Sequence, residues 1–484
     1  MAFLERLPWN ARLLAITALA FAISAVGIAW LPLEAHEAFV LLAAQHMLDS
    51  RDWVIPYFNG EPHLTKPPLN YWLTLIIAKA CSASQIQAWH GRLVSALSGT
   101  GSVFITGWAG KKLFDEKTGL LSALMLATCT GFFYYSHSAR PEMLYMLLCN
   151  IAVLAYILMR DGDIKPRRQL LLAGTIWLVF ALATLTKGPH IPAVLLVAFV
   201  LDQYWLKGNI RQAIALLRPL PGLALAILIA APWWWLLNHR LGGQGTHGTQ
   251  LSGSLLTINP LHLLSPYYLY RPLQLLLPWV LLLPLLWHAF RKPEYKNQRR
   301  LLLLLIVLPA LVLSLGPQKR WYYMLPSMMP MCLLLSAGIV AYLSRHPSGG
   351  VRLKLLAAFS ILCGALFLAA GRSQWAWGPQ RFDQAKLAQT LNENLTPDSR
   401  ILNWNVTPEI FAFYTHRDII RVHNIDDIRK QLRLKNKAGN LLLIMDTKYM
   451  AQLPAELDAK LLGQTPGVKK DNAPITLVSI NATE

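Results

Sequence analysis

Apolar stretches of about 20 residues, the length a helix needs to cross a bilayer, recur along this 484-residue chain. They lie near residues 12–31, 93–110, 118–137, 142–159, 169–186, 189–205, 219–237, 272–290, 301–316, 322–343 and 352–371. This repetition predicts a polytopic α-helical membrane protein with about eleven transmembrane helices. Only 14% of the residues are charged, against about 25% in an ordinary soluble domain. One large soluble core does not account for that deficit, whereas repeated spans do.

A net charge of +20 would suit nucleic acid or an acidic surface, but the placement of the charges argues for a membrane. Lys111, Lys112 and Lys117 fall in one short loop, and Arg160, Lys165, Arg167 and Arg168 in another. Lys207, Arg211 and Arg218 follow, then Arg291, Lys292, Lys296, Arg299 and Arg300, then Arg345, Arg352 and Lys354. This alternation is the positive-inside pattern. It predicts a cytoplasmic N-terminus and an extracytoplasmic segment after residue 371. The first apolar run reads as a retained signal anchor. The five cysteines all lie in or beside apolar runs, so no disulfide scaffold is expected outside the membrane.

Two domains are predicted: residues 1–371 in and on the membrane, and 372–484 outside it. Within the first, residues 32–91 form an outer segment too long for a plain connector. His36 to Leu48 and Pro67 to Ala80 suit amphipathic helices in the interface, with Tyr71 and Trp72 in the aromatic belt. A second outer loop, about 238–271, starts with LGGQGTHGTQ, a composition that predicts mobility. After residue 372 the apolar runs shorten. RILNW (400–404), NLLLIMD (440–446) and ITLVSI (475–480) read as strands; EIFAFY (409–414) and Ile425 to Leu434 read as helices. A small C-terminal α/β domain is therefore expected.

The charge rule puts several titratable motifs on that one outer face. Glu34, His36 and Glu37 follow the first span and offer general bases, although loop residues at a helix start are commonly just solvated. In Thr65-Lys66-Pro67-Pro68 the prolines fix the backbone beside one ammonium group, which suits a phosphate or merely a snorkelling lysine. Arg140-Pro141-Glu142 occupies a short turn, where Glu142 either complements a helix dipole or faces a cavity. Lys187-Gly188-Pro189-His190 and Lys319-Arg320-Trp321-Tyr322-Tyr323 complete the set. Each alone is weak. Together, several cations with two carboxylates point to an anionic lipid-phosphate substrate and acid–base chemistry. The sequence holds no HxxxH or CxxC pair, no Walker loop and no GxGxxG after a strand. No metal, ATP or NAD is therefore expected.

The stretch HEAFVLLAAQHMLDSRDWVIPYFNGEPHLTKPPLNYWL (36–73) resembles the first outer loop of bacterial polyprenyl-phosphate-dependent glycosyltransferases. These are the protein O-mannosyltransferase-like family and its aminoarabinose–lipid A transferase relatives. Arg92, Arg140-Pro141-Glu142, Lys187-Gly188-Pro189 and Tyr323-Met324-Leu325-Pro326 extend the likeness over about residues 1–340. The resemblance implies a GT-C fold and inverting transfer of a sugar from a polyprenyl-phosphate carrier. The acceptor would be lipid A, another glycolipid, a glycan or a protein outside the cytoplasm of a bacterial inner membrane. No nucleic acid and no cofactor would be used. Lys66, with Tyr323, Lys187 and Lys319, would bind the donor phosphate. The family's first carboxylate falls on His36 here. Glu37 keeps the acidic identity of the second position and is expected to be the cavity-facing base, with Glu142 as a second carboxylate and His36 as the rival.

The alternative function is a transporter or flippase for a lipid-linked or polar substrate. That class favours midplane charges and internal repeats, and neither is evident in this sequence. A non-catalytic scaffold displaying the C-terminal domain is the third reading.

Overall fold

A computed structural model describes residues 7–160, 164–243, 260–345, 349–434, 440–466 and 474–480. The greater part of the Gly-rich outer loop, residues 244–259, lies outside the described residues.

Helical segments occupy all eleven positions marked by the apolar runs. Four segments, Glu142–Met159, Ile210–Arg240, Pro293–Ser314 and Trp321–Leu343, are long and apolar enough to cross a membrane; two bent pairs raise this to six. By length and apolarity alone, four to six segments among the described residues meet the measure of a span, against the eleven expected. The shortfall has visible causes. Helix α1 (Trp9–Ala25) has 17 residues. Beyond it lie α2 (Ala35–Ser50) and α3 (Leu69–Ala80), while α4 (Ala88–Leu113) buries Arg92 with Ser95, Ser98, Ser102 and Thr106. Such polar residues lower hydropathy but pack inside the bundle. One predicted span, 118–137, is α5 (Glu116–Ala127) followed by α6 (Thr130–Ser136) at 53°.

Close crossing of α4 and α5 depends on missing side chains. A Cβ on Gly119 would lie 2.5 Å from the Gly107 carbonyl oxygen, and one on Gly110 would lie 2.7 Å from Gly119 Cα. Small residues at such positions let helix backbones touch, the usual device for packing helices in lipid. The bundle continues through α7 (Glu142–Met159), α8 (Pro166–Thr184), α9 (His190–Lys207), α10 (Pro219–Arg240), α11 (Lys296–Ser314), α12 (Met328–Leu343) and α13 (Gly349–Ala370). At the end of α7 remote from Glu142, Arg160 pairs with buried Asp202 of α9 at 2.6 Å, and Tyr156 donates to the same carboxylate.

After α14 (Pro379–Glu393) the chain forms a five-stranded sheet. Its strands are β3 (Arg400–Trp404), β4 (Ile419–Val422), β5 (Leu441–Asp446), β6 (Ala459–Gln464) and β7 (Ile475–Ile480), in the order β4-β3-β5-β7-β6. Strands β3, β4 and β5 are parallel; β7 is antiparallel to β5 and β6. The connecting helices are α15 (Glu409–Thr415) and α16 (Ile425–Arg433). The three expected strands and two expected helices are present, joined by β4, β6 and α14. Strand β5 is buried at every residue, as both faces of a parallel centre require. Edge strand β6 is exposed at half of its residues and buried at none, so it lacks the apolar run that makes a strand legible.

The sheet is docked on the outer segment. Ile410 and Phe413 of α15 pack with Leu41, Ala44 and Tyr71 of α2 and α3. The short hairpin of β1 (Tyr57–Phe58) and β2 (Glu61–Pro62) turns through Asn59. There the Asn59 amide donates to the Ile419 carbonyl at 2.7 Å and accepts from the Ile419 N–H at 2.9 Å. One side chain thus satisfies both polar groups of an edge-strand residue.

Candidate active site

Four loops that are far apart in sequence meet at one end of the bundle. Leu69 N–H, just after Lys66-Pro67-Pro68, donates to the Leu185 carbonyl at 3.0 Å, bringing the turn at 65–68 against the turn at 185–189. That second turn needs Gly188, whose φ of 113° is a conformation other residues rarely adopt. The Gly188 carbonyl accepts from the Tyr145 hydroxyl at 2.9 Å.

Around these turns the predicted cations and one carboxylate converge. Glu142, 3% exposed, accepts from Lys187 at 3.2 Å and from Arg140 at 3.3 Å. Lys187 Nζ lies 4.5 Å from the Tyr323 ring centre, and the Arg140 guanidinium 4.6 Å from that of Tyr322. Lys66 is half-buried within electrostatic reach of all three charged groups. Burial and the neighbouring Lys187 lower its pKa to about 7, with Glu142 acting the other way. Burial likewise lowers Lys187, with Glu142 opposing the shift. Three cations facing Glu142, with Glu34 at 3.5 Å from Arg140, leave an excess of positive charge that an anion would relieve.

Glu37 does not face this cavity. Its carboxylate is 0% exposed and receives Arg92 Nε at 2.8 Å and an Arg92 NH2 at 3.0 Å. It also accepts from Ala139 N–H and Glu34 N–H. Arg92 in turn donates to the carbonyls of Ile28, Leu31 and Pro32. The pair ties three chain segments together and has no side open to substrate. Sequence spacing could not show this, because Arg92 stands 55 positions away.

The open carboxylate is Glu34, the backbone cap of α2, whose side chain is 23% exposed. It accepts from Arg381 at 2.9 Å and from the Tyr134 hydroxyl at 3.0 Å, with Arg140 at 3.5 Å. His36 is 59% exposed at the rim, 3.6 Å from Glu34. Burial opposes the charge on Glu34, but His36, Arg140 and Arg381 outweigh it and lower the pKa to about 2. Lys319 stands apart, donating to the His262 carbonyl, so the expected phosphate set loses it. Sequence reading missed Tyr134 and Arg381. No local pattern links position 381 to position 34; only the docking of α14 does. Among the described residues no three His, Cys, Asp or Glu side chains gather closely enough to hold a metal ion.

Beside the cluster runs an apolar groove of about 550 Å³. Tyr268, Leu276, Leu286, Ile306, Met324 and Leu335 are among its walls, and Met324 is the residue after Tyr323.

Compared with solved structures, the chain aligns over 97% of its length with ArnT from Cupriavidus metallidurans bound to undecaprenyl phosphate. That match covers 98% of the ArnT chain, with a TM-score of 0.73 at 17% identity. An oligosaccharyltransferase from Archaeoglobus fulgidus matches 93% of this chain and 71% of its own, with a TM-score of 0.58 at 13% identity. The chain therefore shares its fold with these two proteins. In sequence, residues 65–236 match the family described as dolichyl-phosphate-mannose-protein mannosyltransferase. The sequence is 27% identical over 345 residues to an undecaprenyl phosphate-alpha-4-amino-4-deoxy-L-arabinose arabinosyl transferase of Pseudomonas savastanoi. That match covers 67% of this chain and 59% of the relative. It is 28% identical over 200 residues to an uncharacterized protein of Aquifex aeolicus, covering 41% and 42%. The chain thus spans about two fifths to three fifths of the length of these relatives.

Proposed function

We propose that the chain is an inverting glycosyltransferase that moves a sugar from a polyprenyl-phosphate carrier to a hydroxyl acceptor at the outer face of a bacterial plasma membrane. The observation that carries this reading is the cation set of Lys66, Arg140 and Lys187, with Lys187 over Tyr323, whose chain neighbour Met324 is a wall of an apolar groove. A phosphate on an isoprenoid tail needs both at once. The likeness to ArnT and to the mannosyltransferase family supports the same donor class, and the transporter reading draws no support from these relatives.

In the proposed reaction the acceptor oxygen forms a bond to the anomeric carbon as the bond from that carbon to the phosphate oxygen breaks. The bonding electrons leave with polyprenyl phosphate. Lys66 and Lys187 stabilise the charge growing on the departing phosphate, while Tyr323 lines the same place. Glu142 holds Lys187 and Arg140 in position. Glu34 orients the acceptor hydroxyl and takes its proton late, when the oxygen has become acidic. Its low pKa in the empty site comes from cations; a donor phosphate that draws Arg140 away raises it. His36 shields the rim. The acceptor is a glycolipid such as lipid A, a glycan or a protein. The Lys/Arg asymmetry of the loops supports a cytoplasmic N-terminus and an extracytoplasmic domain at residues 372–484.

Transfer from a radiolabelled polyprenyl-phosphate sugar to envelope acceptors tests the proposal. Lys66→Ala is expected to lose about 10²–10³-fold in turnover at normal membrane levels. Wild-type turnover in that variant would sink the reading.

A further inference from the structure

The C-terminal sheet has its own topological switch point. From β3 the chain goes to β4 on one side and then to β5 on the other. In open parallel sheets, ligands favour the crevice beyond the carboxyl ends of the strands at such a point. Two clefts lie there, of about 260 and 480 Å³, and share residues 405–407. The first takes Asp383 and Gln384 from α14 and Asp446 from the end of β5. The second takes Glu409, Arg421 and Tyr449.

The shared loop is pinned in advance. Asn403 donates to the Val406 carbonyl at 2.7 Å and accepts from the Val406 N–H at 3.2 Å, while Asn405 holds a left-handed φ of 58°. Glu409 is 2% exposed, and its Oε2, at the wall of the larger cleft, has no hydrogen-bond partner. Burial raises its pKa, with its own backbone N–H, Arg421 and His36 pulling the other way. Helix α14 supplies a tie to the reaction centre: Arg381 reaches Glu34, while Asp383 and Gln384 line the cleft.

We propose that these joined clefts bind a hydroxyl-rich sugar ring of the acceptor and present it to Glu34. The lining mixes carboxylates, amides and one guanidinium with the edge of Tyr449. A sugar hydroxyl both donates and accepts, so it satisfies every one of these groups. Asp383 and Glu409 disfavour a plain anion, Asp446 being paired with Lys448 at 3.0 Å, and Arg421 disfavours a cation. This inference rests on the glycosyltransferase reading, yet its test is separable from it.

The test uses the full chain in detergent micelles and saturation-transfer NMR with chitobiose, mannobiose and gentiobiose. At least one disaccharide is expected to give signals in the wild type. Those signals should fall fivefold or more in Asn405→Gly, which tolerates the left-handed backbone, and in Arg421→Gln. They should persist in Lys66→Ala. Absence of binding for all three sugars, or equal signals in both cleft variants, would overturn the proposal. Polyprenyl phosphate binding, measured in parallel, should be lost in Lys66→Ala and kept in both cleft variants. Retention in Lys66→Ala would instead remove the glycosyltransferase reading. Displacement of the disaccharide by vesicles containing lipid A would assign the ring to a glycolipid, and its persistence would assign it to a soluble or protein-linked glycan.

Discussion

Replacing Glu37 by Gln would strand the Arg92 guanidinium in a fully buried setting. Breaking such a pair from one side costs about 3–5 kcal/mol. Glu37→Gln is therefore expected to lower the apparent melting temperature in detergent and the folded yield, whatever happens to turnover. Glu34→Gln, at a partly open site, should melt close to the wild type yet lose about 10²–10⁴-fold in transfer. If the two outcomes are exchanged, the assignment of roles is wrong. Lys66 carries a pH signature. With its pKa at about 7 in the empty site, the ammonium is present below neutrality and is lost as pH rises. The donor's kcat/KM, which reports the free enzyme, should fall above about pH 7. Lys66→Arg should abolish that limb, because a guanidinium stays charged; a limb surviving in that variant would place the titration elsewhere. Residue types were readable here: the structure brings Glu142, Lys187 and Tyr323 together, with Lys66 within electrostatic reach. Orientation was not. Which of Glu34 and Glu37 faces inward depends on Arg92, one helix away.

At the scale of elements, prolines and glycines set the framework of the site and were visible in the sequence. The partners that complete it were not. Asn59 occupies a turn that reads as an ordinary Asn-Gly hairpin, yet it bonds both polar groups of Ile419. Asn59→Gly keeps the positive φ of 54° accessible and removes both bonds. The variant should lose about 1–3 kcal/mol, seen as earlier proteolysis of the C-terminal sheet with the membrane helices intact. Unchanged proteolysis would mean that the apolar contact of α15 with α2 holds the sheet alone. The strands β3, β5 and β7 were legible because near-continuous apolar runs mark buried strands. Strands β4 and β6 lie at the edges, one short and one without a buried residue, and give no such run. Helix α14 has a polar composition that hides its two working faces.

For the whole molecule, the alternating Lys/Arg loops predict that a reporter fused after residue 372 is active outside the cytoplasm. Activity on the cytoplasmic side would overturn the placement of the entire site. Composition predicts the membrane and the face, but it cannot reveal how the start of α2 meets the segment after the last apolar helix. They meet at Glu34 and Arg381, 347 positions apart. During synthesis Glu34 emerges early, whereas its guanidinium partner follows the last apolar helix. Under the proposed function, the cavity lacks this guanidinium until α14 has been made. On the same reading, reactive carrier sugar meets a working carboxylate only after the final helix has been threaded and the tail has crossed.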